Sequence, residues 1–301
     1  MQRLILFVLW AIFAAAHSRA ADPEKDAPGL NALPEVEFSQ LSQKDPGAFG
    51  VKALAIHSAD WKHGETAHFI YHYQKSYVAT AVSVEAEFHF RVIEKVLARD
   101  LRWTEKAHIY IFERPGDWES FQTAGSLEPW TGGIQSNGSL FIVRNPAFKF
   151  TDNSLGHEIA HLVLRRLYGE GVPLWLNEGF AQFVSKNAHA SYQRARGYLA
   201  KPRSEAVAAG KFFPLAQLTT MTYPPAEQID TFYNQSERLV RFLVAADREK
   251  FLALMELSAK GESIAKALSI CYGGKFAGLE AMETEFRMYA AKDGVSGARD
   301  F

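Results

Sequence analysis

His157-Glu158-Ile159-Ala160-His161 is the stretch of this chain that decides its fold. Residues four apart lie on the same face of an α-helix, so both imidazoles can reach one metal ion. The carboxylate of Glu158 lies beside the first imidazole, where it can act on a water molecule. The pattern therefore predicts a helix that presents a hydrolytic metal site.

The surroundings of this motif favour a buried site over a solvated helix, which is the alternative interpretation. Apolar positions recur at helical spacing and are predicted to face the core: Leu155, Ile159, Leu162, Val163 and Leu167. Asp152, Asn153 or Ser154 can cap the start of the helix, and Gly169 is placed to end it. Histidine and glutamate on such an apolar helix are costly unless they are paired or bind a metal.

A third protein ligand is needed, because zinc takes about four ligands and a catalytic site leaves one for water. Glu178 is the candidate, 17 positions after His161 in residues 173–181, which read Pro-Leu-Trp-Leu-Asn-Glu-Gly-Phe-Ala. A break from Gly169 to Gly171 separates the two segments. We expect two neighbouring helices whose four functional side chains converge.

The two segments resemble those of the gluzincin metallopeptidases, and residues 175–181 look like the aminopeptidase branch of that group. The resemblance implies that His157, His161 and Glu178 hold one zinc ion and that Glu158 is the general base for the zinc-bound water. The sequence has no Gly-Ala-Met-Glu-Asn element to grip a free amino terminus, so endoproteolysis is favoured. Across residues 50–290 the layout is most similar to the bacterial peptidase MA-like domains.

A later helix is expected to complete the site. By the same resemblance Tyr233 is a catalytic candidate that stabilises the oxyanion, with Tyr223 in reserve. An ordinary core stripe would explain Tyr233 equally well, since apolar residues recur around it at helical spacing. Asn177 and Gln182 are candidates for orienting a metal ligand, although both amides could equally face solvent.

Upstream of the metal helix, residues 131–143 predict two strands joined at Asn137-Gly138. This dipeptide readily adopts the positive φ angles of a type I′ turn. One edge of the hairpin is expected to border the cleft. In resembling peptidases such an edge binds an extended substrate, whereas a hairpin without a ligand is the alternative.

The first residues predict export. A basic start at residues 1–3, an apolar run of 13 residues from Leu4 to Ala16, and Ser18-Arg19-Ala20 are typical of a signal peptide over residues 1–20. An uncleaved anchor is the alternative, but 13 residues are short for a membrane span. The sole cysteine, Cys271, cannot form an internal disulfide. We expect a periplasmic protein with no stable membrane span after cleavage.

Composition limits the partners. Removal of residues 1–20 takes two of the 33 basic residues and none of the 34 acidic ones, so the net charge is near −3. That balance does not suggest a nucleic-acid partner, and a peptide or protein substrate is expected instead. The hydrophobic fraction of 48% indicates a well-filled core.

A coarse reading of periodicity predicts an α+β fold of the gluzincin type. Strands are predicted at 67–73 and 107–112, and a helix at 82–97. Helices are then predicted at 192–199, 229–246, 251–259, 263–270 and 279–290. We divide the chain into a signal (1–20), a flexible leader (21–35), a mixed-sheet lobe with the metal helix (36–190) and a helical lobe (191–301).

Two further points stay open in the sequence. His63, His68 and His72 could form a second metal site, because His68 and His72 fall on one face of the predicted strand, but half-exposed histidines on strands are common. The function is predicted to be that of a secreted zinc metallopeptidase. A noncatalytic, peptidase-like binding or scaffold module of the cell envelope is the alternative.

Overall fold

A five-stranded mixed sheet is the platform for the rest of the chain in the computed structural model, which describes residues 32–99, 101, 103–127, 132–144, 154–195 and 212–293. The strands are β1 (Lys62–Glu65), β2 (Phe69–Tyr73), β3 (Ala107–Phe112), β4 (Gly133–Ser136) and β5 (Ser139–Val143), in the order β1-β2-β3-β5-β4. The β2-β3 and β3-β5 pairs are parallel and the two outer pairs are antiparallel. The predictions of β2, β3 and the hairpin are confirmed. Strand β1 was missed because its four residues are polar or glycine and show no apolar alternation.

The hairpin turn has the predicted conformation. Asn137 has a φ of 48° and Gly138 a φ of 79°, which are the positive angles of a type I′ turn. Within the described residues β4 pairs only with β5, so it is the last strand of the described sheet, and its other edge faces the cavity.

Ten α-helices lie within the described ranges. The first three are α1 (Gly47–Leu54), α2 (Ser76–Leu97) and α3 (Pro115–Gly125). The metal motif lies on α4 (Ser154–Tyr168), and the Asn-Glu-Gly motif lies on α5 (Leu174–Ala195). The remaining helices are α6 (Leu215–Leu218), α7 (Ile229–Ala246), α8 (Arg248–Ala259), α9 (Ile264–Tyr272) and α10 (Leu279–Asp293).

The predicted helices are present except at one place, and α1, α3 and α6 were not predicted. No separate helix starts at Tyr192, because α5 continues unbroken from Leu174 to Ala195, and residues 196–199 lie outside the described ranges. Helix α5 therefore crosses the predicted division between residues 190 and 191. The largest hydrophobic cluster is also continuous, from Phe69 on β2 to Phe286 on α10. The two-lobe arrangement stays a prediction.

The two faces of the sheet are covered differently. One face packs against α2, α4 and α5 in the large cluster, while a smaller cluster with α1 and α3 covers Tyr110, Phe112 and Phe141 on the other. Alternation along each strand sends neighbouring side chains to opposite faces, so one set of strands serves both clusters. The metal helix thus packs on one face of the sheet.

The N-terminal predictions fall mainly outside the described residues. The signal peptide (1–20) and residues 21–31 of the leader lie outside them, as do the capping candidates Asp152 and Asn153. Leu33, which falls within the predicted leader of residues 21–35, is buried, and its N–H donates to Thr80 Oγ1. In the part of the chain that the structure describes, no helix is both long and apolar enough to span a membrane.

The helices α5 and α7 cross at Gly179. A Cβ atom on this residue would lie 2.5 Å from the carbonyl oxygen of Ser236 and 2.9 Å from Cγ2 of Val240. Only glycine permits this approach without a backbone shift. On α5 the contact lies one residue after Glu178, and on α7 it lies about one turn after Tyr233. It therefore sets the distance between Glu178 and Tyr233.

We expect Gly179→Ala to destabilise the fold by about 1 to 3 kcal/mol, because the added methyl group would overlap a backbone atom of α7. Chemical denaturation measures the change. Gly116→Ala is the matched control, since a Cβ there meets nothing within 4 Å. Equal stability of the two variants would contradict the role of the crossing.

Three histidines form a chain across β1, β2 and β3. His63 Nδ1 lies 2.9 Å from His72 Nδ1, and His72 Nε2 lies 2.8 Å from His108 Nδ1. His68 does not share their face, because it lies in the bend before β2, where it pairs with Glu87 and stacks on Phe90. The prediction that His68 and His72 share a strand face is therefore wrong.

Burial controls the charge of this chain. It lowers the pKa of His108 to about 4, and together with the charges of His108 and His63 it lowers the pKa of His72 well below the usual range. An unfolded histidine has a pKa of about 6.5, so between about pH 6.5 and 4 the unfolded chain binds protons that folded His108 does not. Acidification through that window destabilises the fold.

We expect His108→Gln to reduce this acid sensitivity. The thermal midpoint of the wild type should fall as the pH is lowered from about 6.5 to 4, and the midpoint of the variant should fall less. Thermal unfolding at a series of pH values measures both slopes. Parallel slopes for wild type and variant would refute the assignment, whatever their absolute stabilities.

Candidate metal centre

The two histidines of α4 point their rings at one place. Their Nε2 atoms lie 2.9 Å apart, and both side chains are 15% exposed. Leu155, Ile159, Leu162 and Val163 on the same helix are buried, as predicted, so the polar face of α4 is left for the site. Gly169 ends the helix with a φ of 63°, and its N–H donates to the carbonyl oxygen of Arg165.

Glu178 on α5 completes the group. Its Oε2 atom lies 3.3 Å from Nε2 of His157 and 3.4 Å from Nε2 of His161. Two features fix the position of α5: Trp175 is fully buried, and Gly171 in the preceding turn lies so close to α8 that a Cβ would be 2.1 Å from the carbonyl oxygen of Ala259. The local packing therefore returns the carboxylate to the two imidazoles.

Asn177 orients one of these imidazoles. Nδ1 of His161 lies 2.9 Å from Oδ1 of Asn177, so the ring N–H donates to the amide oxygen. A neutral imidazole that donates from Nδ1 carries its lone pair on Nε2, the atom that faces Glu178. Of the two amides that the sequence offered, Asn177 makes this contact, while Gln182 lines the adjoining cavity.

Negative charge dominates the electrostatics of the group. Burial alone would lower the pKa of His161, but the hydrogen bond and charge of Glu178, with the charge of Glu158, raise it to about 9. Burial would raise the pKa of Glu178, but the hydrogen bonds and charges of the two histidines hold it well below its usual range. The position between these atoms therefore favours a cation.

The residues fit a metal ion. The ligand atoms of His157, His161 and Glu178 all lie within 4.8 Å of one another, and this is the one such group in the described part of the chain. Oε2 of Glu178 is buried, and its contacts of 3.3 and 3.4 Å with the two imidazoles are not well-aligned hydrogen bonds, so within the described ranges this oxygen is left incompletely satisfied. Two imidazole nitrogens and one carboxylate oxygen are a donor set of the kind that divalent zinc takes in catalytic sites.

Residues 96–289, which include the whole of this group, match the peptidase MA superfamily. The chain belongs to the peptidase MA superfamily. The predicted resemblance to the peptidase MA-like gluzincins is thereby confirmed. No curated protein sequence is significantly similar to this chain.

Glu158 lies between the edge strand β4 and the candidate metal group, which consists of His157, His161 and Glu178. A Cβ atom on Gly133 would lie 3.6 Å from Cγ and 3.7 Å from Oε1 of Glu158. A glycine at this position of β4 leaves the carboxylate room beside the strand. The predicted general base and the predicted strand edge thus meet in the folded chain.

Tyr233 on α7 lines the same cavity as the metal group. Burial, followed by the negative charges of Glu178 and Glu158, raises the pKa of its hydroxyl. Tyr223, the reserve candidate, is 71% exposed and is not among the residues that line the cavity. Of the two candidate tyrosines, Tyr233 is therefore the one that lines the cavity.

The cavity has a volume of about 590 Å³ and extends beyond the metal group. Its lining also includes polar residues that were not predicted from the sequence, among them Gln135 on β4, Arg165 on α4 and Glu170 in the turn after α4. The spacing of four residues from His161 to Arg165 was a signal that both lie on one helix face. Gln135 had no comparable local signal, because its direction depends on the register of β4.

We expect Asn177→Ala to weaken zinc binding by about tenfold, because loss of a partner that orients a ligand typically costs that much or more. Competition with a chromophoric chelator measures the affinity. Asn177→Asp keeps an acceptor oxygen and should retain most of the affinity, and Gln182→Ala is the matched control. Unchanged affinity in Asn177→Ala would contradict the orienting role.

Proposed function

We propose that this protein is a zinc-dependent metallopeptidase that acts outside the cytoplasm on peptide bonds. The observation that carries the proposal is the convergence of His157, His161 and Glu178 in one cavity with Glu158 and Tyr233. A binding module of the same fold would not require a base and a hydroxyl donor beside the metal group. Membership of the peptidase MA superfamily supports a peptidase-like activity.

His157, His161 and Glu178 would hold the metal ion. Zinc is the metal proposed, because imidazole and carboxylate ligands in a three-residue set suit it. When bound, it supplies a positive charge that polarises the scissile carbonyl and lowers the pKa of water towards about 7. Asn177 keeps the lone pair of His161 Nε2 directed at the ligand position.

Glu158 is the general base in this proposal. Three glutamates line the described cavity, and Glu178 is a proposed ligand. Of the other two, Glu158 is the one that directly follows a proposed ligand in the sequence, His157. It accepts the proton of the attacking water and returns it to the leaving amine. The position under Gly133 brings the carboxylate beside the strand where a substrate backbone would lie.

Tyr233 donates a hydrogen bond to the oxyanion. The raised pKa of its hydroxyl keeps the proton on the oxygen at neutral pH, so the group acts as a donor. Burial and two nearby carboxylates cause that rise, and the same carboxylates belong to the proposed catalytic group. The contact of α5 and α7 at Gly179 holds this donor near Glu178.

The free edge of β4 supports an extended peptide as the substrate. Gly132, Gly133, Ile134 and Gln135 line the cavity, and β4 has one strand neighbour within the described sheet. An extended chain can add to such an edge through backbone hydrogen bonds. Endoproteolysis is proposed, because no amino-terminus clamp was recognised in the sequence.

The proposed location is the bacterial periplasm. The support is the signal-like pattern of residues 1–20, with a basic start, an apolar run and small residues before the predicted cleavage point. Expression of the full chain with N-terminal sequencing of the exported product tests this part alone.

Cleavage of a library of peptides with blocked termini tests the activity. The zinc-loaded wild type should cleave internal bonds, and Glu158→Gln should lose at least 100-fold in kcat while retaining zinc.

Tyr233→Phe should lower kcat by about 100-fold with little change in KM, because it removes a donor that acts in the transition state. Tyr223→Phe is the matched control. A zinc-loaded wild type that cleaves no peptide would favour the noncatalytic module instead.

A further inference from the structure

The cavity continues past the metal group between α4 and the hairpin. Gly133 on β4 lies beside Glu158, and Gly138 at the turn lies beside Arg166, since their Cβ positions approach those side chains to 3.6 Å and 3.9 Å. The strand β4 and the helix α4 therefore run side by side from the metal group towards the hairpin turn. A peptide added to β4 would extend in the same direction.

Arg165 lies at this far end of the cavity. It follows His161 by four residues, which is about 6 Å along a helix, or about two residues of an extended peptide. Arg165 is the one lysine or arginine among the described residues that line the cavity. The carboxylates among these lining residues are Glu158, Glu170 and Glu178.

The present partner of Arg165 is exposed. Nη2 of Arg165 lies 2.6 Å from Oε1 of Glu170, and the two side chains are 45% and 76% exposed. An ion pair this exposed contributes little to stability, so another carboxylate can replace Glu170 at low cost. The neighbouring Arg166 is committed elsewhere, because it donates to the carbonyl oxygen of Glu105 and stacks on Trp103.

Gln135 adds a polar group on the strand side. Ile134 packs into the small cluster on the opposite face of the sheet, so alternation turns Gln135 towards α4. Its Nε2 atom is buried and has no hydrogen-bond partner within the described ranges. An amide donor on the strand therefore shares the cavity with the guanidinium on the helix.

We propose that Arg165, Glu170 and Gln135 form a carboxylate subsite that selects peptides with a negative group two or three residues from the scissile bond. The carboxylate comes from an acidic side chain or from a free C terminus. Arg165 binds it, Glu170 competes with it, and Gln135 donates a hydrogen bond to the peptide. This subsite rests on the proposed function, because a scissile bond is defined only if the protein is a peptidase. Binding of the carboxylate itself does not require catalysis.

The test uses the zinc-loaded Glu158→Gln protein, so that binding is measured without turnover. Fluorescence anisotropy compares peptides that differ only by Glu, Gln or Lys at each position up to three residues from the centre. All termini in this set are blocked, and a second set carries a free C terminus. The two sets distinguish a side-chain carboxylate from a terminal one.

If the subsite binds a side-chain carboxylate, we expect the Glu peptide to bind about fivefold more tightly than the Gln peptide at one position two or three residues from the centre. If it binds a terminal carboxylate, we expect the peptide with a free C terminus to bind about fivefold more tightly than its amide. Arg165→Gln should abolish the preference, and Arg165→Lys should retain part of it. Glu170→Gln should increase it, because the competing carboxylate is gone. Arg91→Gln, which removes an exposed arginine from α2 outside the cavity lining, is the matched control.

Opposite effects of Arg165→Gln and Glu170→Gln on the preference would show selection by charge. A general disturbance of the end of α4 and the turn after it would instead weaken the binding of all peptides alike. Higher salt should reduce the preference. A preference that survives in Arg165→Gln, or no peptide binding at all, would overturn the subsite. Selective binding together with no cleavage by the wild type would refute the peptidase and leave the subsite standing.

Discussion

A buried carboxylate held between two imidazoles is the interaction on which the rest of this structure depends. Oε2 of Glu178 faces Nε2 of both histidines, and among the described residues neither contact is a well-aligned hydrogen bond. A buried charge without compensation costs several kcal/mol, so the group requires positive charge at its centre. The pKa of His161 is raised for this reason, because a proton on its imidazole supplies positive charge next to the carboxylate of Glu178. A metal ion meets it with two charges at once, which links the fold to its chemistry.

Close helix packing makes this interaction possible. The turn between α4 and α5 contacts the end of α8 through Gly171, and α7 contacts α5 through Gly179. Both glycines lie where any Cβ would meet backbone atoms. The same two contacts place Glu178 opposite α4 and place Tyr233 beside Glu178. Geometry at the centre is therefore set by small residues that take no part in the chemistry themselves.

The strands and helices with strong periodicity could be predicted, and those without it could not. Strand β3 and helix α7 have the bounds that their apolar patterns indicate. Strand β1 is polar, and α1 and α3 were not recognised from their sequences. At residue 192 a new helix was expected where α5 simply continues, because periodicity alone cannot distinguish a new helix from a longer one.

The sequence by itself determined the candidate metal group: the spacing of His157 and His161 is a property of one helix, and the Asn-Glu-Gly run supplied Glu178 as its third member. Only the tertiary structure decided that Tyr233 rather than Tyr223 faces the cavity, that His72 joins His63 and His108, and that Arg165 and Gln135 share one end of the cleft. Local periodicity defines which residues share a face of one element. It carries no information about which faces of distant elements meet, because that depends on the packing of the whole core.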